Sequence, residues 1–70
     1  MLQYSRLREM AESYIAKHPQ LRLGQAYMSA LAILDKELYD KVKNTDNDPF
    51  YDDSKMEDFT RFLIFGCGVT

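Results

Sequence analysis

The segment Gln25 to Leu34, QAYMSALAIL, is apolar at eight of its ten positions. At 100° per residue, Ala26, Tyr27, Met28, Ala30, Leu31, Ala32, Ile33 and Leu34 cover nearly the whole circumference of a helix. A helix apolar on every side must be surrounded, so this one is expected to be a buried hub. Its three alanines let neighbouring helices approach closely. The chain has only 70 residues in which to supply those neighbours. A domain of that size buries a modest fraction of its surface and is marginal without a disulfide or a partner. Cys67 is the only cysteine, so no disulfide forms within the chain. A lone thiol, with charges in every turn of MLQYSRLREMAESY and no apolar leader, fits a reducing, cytoplasmic setting. The run Phe62 to Phe65 is far too short to span a membrane, and a soluble protein is expected.

The neighbours can be read on either side of the hub. Tyr4, Leu7, Ala11, Tyr14 and Ile15 share one stripe at helical spacing. They predict a helix from about Leu2 to Lys17, stopped at His18-Pro19, where proline disfavours helix for the residue before it. Gly24 precedes the hub. Asp35 is placed to cap a short third helix, Lys36 to Lys43, with Leu38 and Val42 inward and Lys41 and Lys43 at the end that favours cations. The second and third helices are either separate or one helix bent at Asp35. Ser54 and Glu57 match a capping box ahead of a fourth helix that runs to about Phe65 on Met56, Phe59, Phe62 and Leu63. Gly66 fits the residue just past its end. The fold class expected is all-α, a compact bundle of three to four short helices forming a single domain over residues 1–70.

Between the third and fourth helices lies TDNDPFYDDSKME, Thr45 to Glu57, with Phe50 and Tyr51 set between acidic pairs. Counted from Asp46, Asp48 and Glu57 fall at positions three and twelve of a calcium loop. Position five is then Phe50, with no side-chain oxygen, and position six is Tyr51, where glycine is needed. No metal site is expected. The segment reads as an Asp-Pro turn. Phe50 and Tyr51 either fold back to seal the core or project as an anchor with a polar aspartate rim. The tail Phe62-Leu-Ile-Phe65 poses a related question. Four consecutive apolar residues exceed one helix face, and docking of the tail, self-association or a partner would each cover them.

Other chemistry is poorly supplied. His18 and Cys67 are the only imidazole and thiol, and no spacing brings them together. Ser5, Ser13, Ser29 and Ser54 have no neighbouring base. There is no glycine-rich phosphate loop and no cysteine–histidine cluster, so no catalytic residue and no cofactor are expected. The net charge of −2 argues against non-specific nucleic-acid binding. Its distribution is uneven. Residues 1–36 hold five basic and three acidic residues, and residues 37–70 hold four basic and eight acidic ones. Arg6, Arg8, Lys17 and Arg22 form a basic set interrupted by Glu9 and Glu12, which reads as a solvated helix surface.

Certain phrases resemble a set of very small, functionally uncharacterised proteins of bacteria and their phages or mobile elements. They are Arg22-x-Gly24-Gln25-Ala26-Tyr27-Met28-x-Ala30-Leu31, Leu38-Tyr39, Thr45-Asp46-x-Asp48-Pro49-Phe50-Tyr51-x-Asp53 and Phe59-x-x-Phe62-Leu63. The likeness covers about Leu21 to Leu63; the tail Phe65 to Thr70 lacks the acidic or tryptophan-bearing ending of that set. It implies a cytoplasmic protein with no known enzyme activity and supplies no catalytic residues. The function expected is a small non-enzymatic interaction factor, such as a phage-type modulator or inhibitor of a host protein. Asp48, Phe50, Tyr51 and Asp52 would meet the partner, with Arg22 and Gln25 as a second patch. Arg22 and Gln25 fit equally well as an internal polar lock to the loop aspartates. The alternatives are a nucleic-acid-associated regulator using the first helix and a structural subunit self-associating through the fourth helix and tail.

Overall fold

The structure, a computed structural model, describes residues 2–70. It is all-helical, in the order α1 (Tyr4–Lys17), α2 (Leu23–Leu34), α3 (Lys36–Val42) and α4 (Met56–Arg61). A 3-10 turn, Asp53–Lys55, leads into α4, and a π-turn, Phe62–Gly66, continues it. The core joins Leu7 and Ala11 of α1 to Ala26, Tyr27, Met28, Ala30 and Leu31 of α2. Leu38 and Val42 of α3, Phe59 of α4, Leu63 of the π-turn and Val69 of the tail complete it. No charged or polar side chain is buried among the described residues. Burial of apolar surface is therefore the main stabilising term.

Helix α2 is central, as its composition predicts, but it is not covered all round. Ile33 is 64% exposed, and Leu23 also faces solvent. The reason is number. Three further short helices enclose part of a cylinder, and one strip of α2 remains for water. The alanines do what close packing needs, since Ala26 and Ala30 have no exposed surface.

Local chemistry sets the helix ends. At Asp35 the backbone is extended, so α2 and α3 are separate, and the Asp35 carboxylate accepts from the Leu38 N–H at 3.2 Å. Helix α1 stops at His18 before Pro19, and the Leu21 N–H closes the turn on the His18 carbonyl at 2.9 Å. Its first turn begins two residues later than the sequence suggests.

The start of the last helix departs from the expected capping box. Ser54 does not cap α4, which starts without a side-chain cap; Asp52 caps the 3-10 turn ahead of it, its carboxylate accepting from the Ser54 N–H at 2.9 Å and from the Ser54 hydroxyl at 2.6 Å. These two donors hold the Asp52 carboxyl below the usual carboxylate range. Glu57 turns outward and pairs with Arg61 at 2.7 Å. A capping serine accepts an N–H through its oxygen; here Ser54 acts as a donor to Asp52, whose carboxylate is the stronger acceptor for the free N–H.

The chain end departs as well. The left-handed residue is Gly68, with φ of 75°, and not Gly66, which lies inside the π-turn. The Val69 N–H returns to the Leu63 carbonyl at 3.0 Å, which turns the Val69 side chain into the core. The Thr70 main-chain oxygen then accepts from the Tyr4 N–H at 2.7 Å. The tail thus satisfies one of the free donors at the start of α1.

Candidate functional site

The loop after α3 is built around its own side chains. Asn44 takes a left-handed conformation, φ 63°, one that asparagine tolerates. Thr45 donates its hydroxyl to the Val42 carbonyl at 2.6 Å and accepts from the Asn47 N–H at 3.2 Å. Asp48 accepts from the Asn44 N–H at 2.8 Å and, with its other oxygen, from the Phe50 N–H at 2.9 Å. Pro49 is fully buried. Every turn of this segment is therefore tied by a local side-chain bond, the pattern that lets Asp and Thr compete with regular backbone structure.

This loop clasps the start of α2. Asp53 accepts from the Gly24 N–H at 2.8 Å and from the Leu23 N–H at 3.3 Å. Those are the first two free donors of α2, and a carboxylate there also meets the positive end of the helix dipole. Gln25 accepts from the Arg22 N–H at 3.0 Å, one half of a capping box. Arg22 has no acceptor to return, and Asp53 takes that role from 30 residues away. The Arg22 guanidinium instead donates to the Phe50 carbonyl at 2.9 Å. A β-carbon on Gly24 would lie 1.8 Å from the Pro49 carbonyl oxygen. Only glycine fits there.

The six residues singled out from the sequence therefore divide. Asp48, Asp52, Arg22 and Gln25 are engaged in bonds within the chain, and Phe50 is half-buried against the core. Tyr51 is 81% exposed. Its ring meets that of Phe50 edge-on, with centroids 4.8 Å apart at 70°, a favourable aromatic arrangement. The pair answers the question of the loop with both outcomes: the first ring seals and the second projects.

Beside Phe50 runs a groove of about 480 Å³ whose walls include Tyr14, Leu21, Met28, Ile33, Tyr39 and Phe50. Sequence reasoning missed Ile33 as a surface residue, because its neighbours Ala32 and Leu34 read as core. Tyr39, half-buried on α3 beside Leu38, lines the groove as well. Lys43 lies over the Tyr39 ring, 5.6 Å from its centroid, and is held there by Asp40 at 3.1 Å. The same hydrogen bond to Lys43 lowers the Asp40 carboxyl.

The groups with catalytic potential are apart in the fold. His18 lies at the rim of the groove, and Cys67 is half-buried where the tail meets the core. Among the described residues no three of His, Cys, Asp and Glu are grouped to hold a metal ion. Among the described residues no helix is long and apolar enough to cross a membrane. No family model, curated protein or solved structure matches the chain.

Proposed function

We infer that the chain is a small non-enzymatic interaction factor that docks one protein partner through Tyr51 and the adjoining groove. The observation that carries this reading is the 81% exposure of Tyr51 on a loop held in place by the bonds of Asp48 and of the Phe50 main chain. A large ring held out by a rigid support gives much contact area for little loss of side-chain freedom. Phe50, Tyr39 and Ile33 extend the apolar surface from that ring, and Asp46 and Asp52 supply a polar rim. The resemblance to small bacterial and phage proteins adds the biological setting: a cytoplasmic, phage-type modulator or inhibitor of a host protein. Arg22 and Gln25, bonded to the loop and to the helix start, serve this site as its support.

The test is affinity capture from host lysate with wild type and Tyr51→Ala. The variant keeps its helical content and thermal midpoint, since no partner within the chain other than the Phe50 ring is lost, and it captures the partner at least about tenfold less well. A folded Tyr51→Ala that retains every wild-type partner would remove the loop as the docking surface.

A further inference from the structure

A smaller hollow, of about 130 Å³, lies between α3 and the loop that carries Tyr51. Tyr39, Phe50 and Tyr51 give it three aromatic walls, and buried Met28 closes it towards the core. Lys43, Asn44 and Asp48 complete the lining. Its volume is that of about four waters at ~30 Å³ each, room for a compact head group. We propose that this hollow is a cation site and takes the guanidinium of an arginine on the partner that docks at Tyr51. The proposal rests on that docking reading and names the chemistry the partner brings to it.

Two observations select a cation. The first is that the chain already places one on an aromatic wall of this hollow. The Lys43 ammonium lies over the Tyr39 ring, 5.6 Å from its centroid, where Asp40 at 3.1 Å neutralises it. Phe50 and Tyr51, edge to face at 4.8 Å, bring two more rings of the same kind. The second is Asp48. Each of its oxygens accepts one main-chain N–H and keeps a lone pair for a further donor. Among the described residues no lysine or arginine is paired with it. Arg22, the other cation bonded to this loop, is held on the Phe50 carbonyl and does not line the hollow. The surrounding segment is acidic, since residues 36–58 hold four basic and eight acidic residues. A carboxylate or phosphate entering here would meet Asp48 with like charge, and an apolar side chain would strip it of water without offering a donor. A guanidinium offsets the charge, donates to the free lone pairs and lays a flat, weakly hydrated face on the rings. An ammonium supplies the charge without the flat face, so arginine is favoured over lysine.

The probe is N-acetyl-arginine N-methylamide, titrated into the full chain and followed by chemical shift. It moves the signals of Tyr39, Asn44, Asp48, Phe50 and Tyr51 saturably, with a dissociation constant on the order of 10 mM. The norleucine and glutamate analogues bind at least about tenfold more weakly, since neither brings a cation to Asp48. Tyr51→Ala weakens the arginine probe at least about threefold, and Lys43→Ala, which removes the competing cation, strengthens it by a similar factor. In capture from lysate, about 100 mM of the arginine probe releases the partner, and the norleucine analogue with equal salt does not. No saturable shift at the hollow overturns the inference. So do equal binding of the norleucine analogue and a Lys43→Ala chain that binds no tighter than wild type. A partner that is lost with Tyr51→Ala but is not released by the arginine probe also overturns it, and leaves the docking reading standing. A probe that binds in the hollow while Tyr51→Ala loses no partner upholds the cation site and removes the docking reading.

Discussion

The start of α2 is completed by residues about 30 positions away and the end of α4 by the tail that follows it, and they are completed by different chemistry. At α2 the bond is polar and atom-specific. Asp53 reaches two N–H groups, Arg22 reaches one carbonyl, and Gly24 leaves room for Pro49. At α4 the closure uses one apolar side chain, Val69, and main-chain groups at Leu63 and Tyr4. The first depends on which residue stands at each place. The second depends on shape, and any aliphatic residue of the right size would serve it. The polar clasp is thus the part of the molecule least able to accept substitution, and it is the part that carries Tyr51.

Gly24→Ala is the sharpest way to break the clasp. In an ordinary helix this change stabilises by about 0.5–1 kcal/mol. Here the new methyl meets backbone, at 1.8 Å from the Pro49 oxygen, and the loop must move away. The expected loss is about 3 kcal/mol or more, a fall of roughly 12–24 °C in thermal midpoint for a domain of this size. Calorimetry decides it. A midpoint at or above wild type would mean that the loop does not rest on α2.

Val69→Ala tests the other closure and should cost less. Removing two methyl groups from a side chain that is 3% exposed costs about 2 kcal/mol. The main-chain bond from Tyr4 to Thr70 can survive the change, so the loss stays near the tail. Amide exchange should quicken at Tyr4 and Val69 and stay slow at Gly24. Equal acceleration at all three would show one cooperative unit in place of two separate closures.

How much of this was legible follows the same division. The hub helix, the break at Pro19, the Asp35 cap and the all-α class rest on periodicity and local capping, both written within a few residues. Asp53 was not legible as the cap of α2, because a bond across 30 residues leaves no local pattern. Its aspartate looked like one more solvating charge in an acidic turn. Ser54 and Glu57 match a capping pattern on paper, but Asp52, two residues earlier, takes the Ser54 N–H and hydroxyl and caps a 3-10 turn ahead of α4. Gly66 fits the left-handed place by local pattern alone, and Gly68 holds it instead because the turn there is set by where Val69 must point. Ile33 was assigned to the core because a sequence shows how apolar a helix is, but not how many neighbours will be found to cover it.

Tyr27 lies where the two regions meet, and its ionisation sharpens the comparison at the smallest scale. Its ring stacks on Tyr4, at 6.0 Å, and meets the edge of Phe59, at 6.2 Å. Tyr4 in turn donates or accepts a hydrogen bond with Thr60 at 2.9 Å. Burial, reinforced by the neighbouring Tyr4 phenol and by Glu12, pushes the Tyr27 phenol from 10.0 up to about 12. Below about pH 10 the group is protonated in both the folded and the unfolded chain, and stability does not depend on it. Between 10 and 12 the unfolded chain releases this proton and the folded one retains it, so stability falls as pH rises. The loss is about 1 kcal/mol near pH 11 and is absent from Tyr27→Phe, which lacks the titrating hydroxyl. Thermal midpoints of the two proteins between about pH 9 and about pH 12 should run together and then separate, with wild type falling faster. Parallel curves across that window would mean that the Tyr27 hydroxyl is solvated, and that the aromatic seam between the clasp and the tail is open to water.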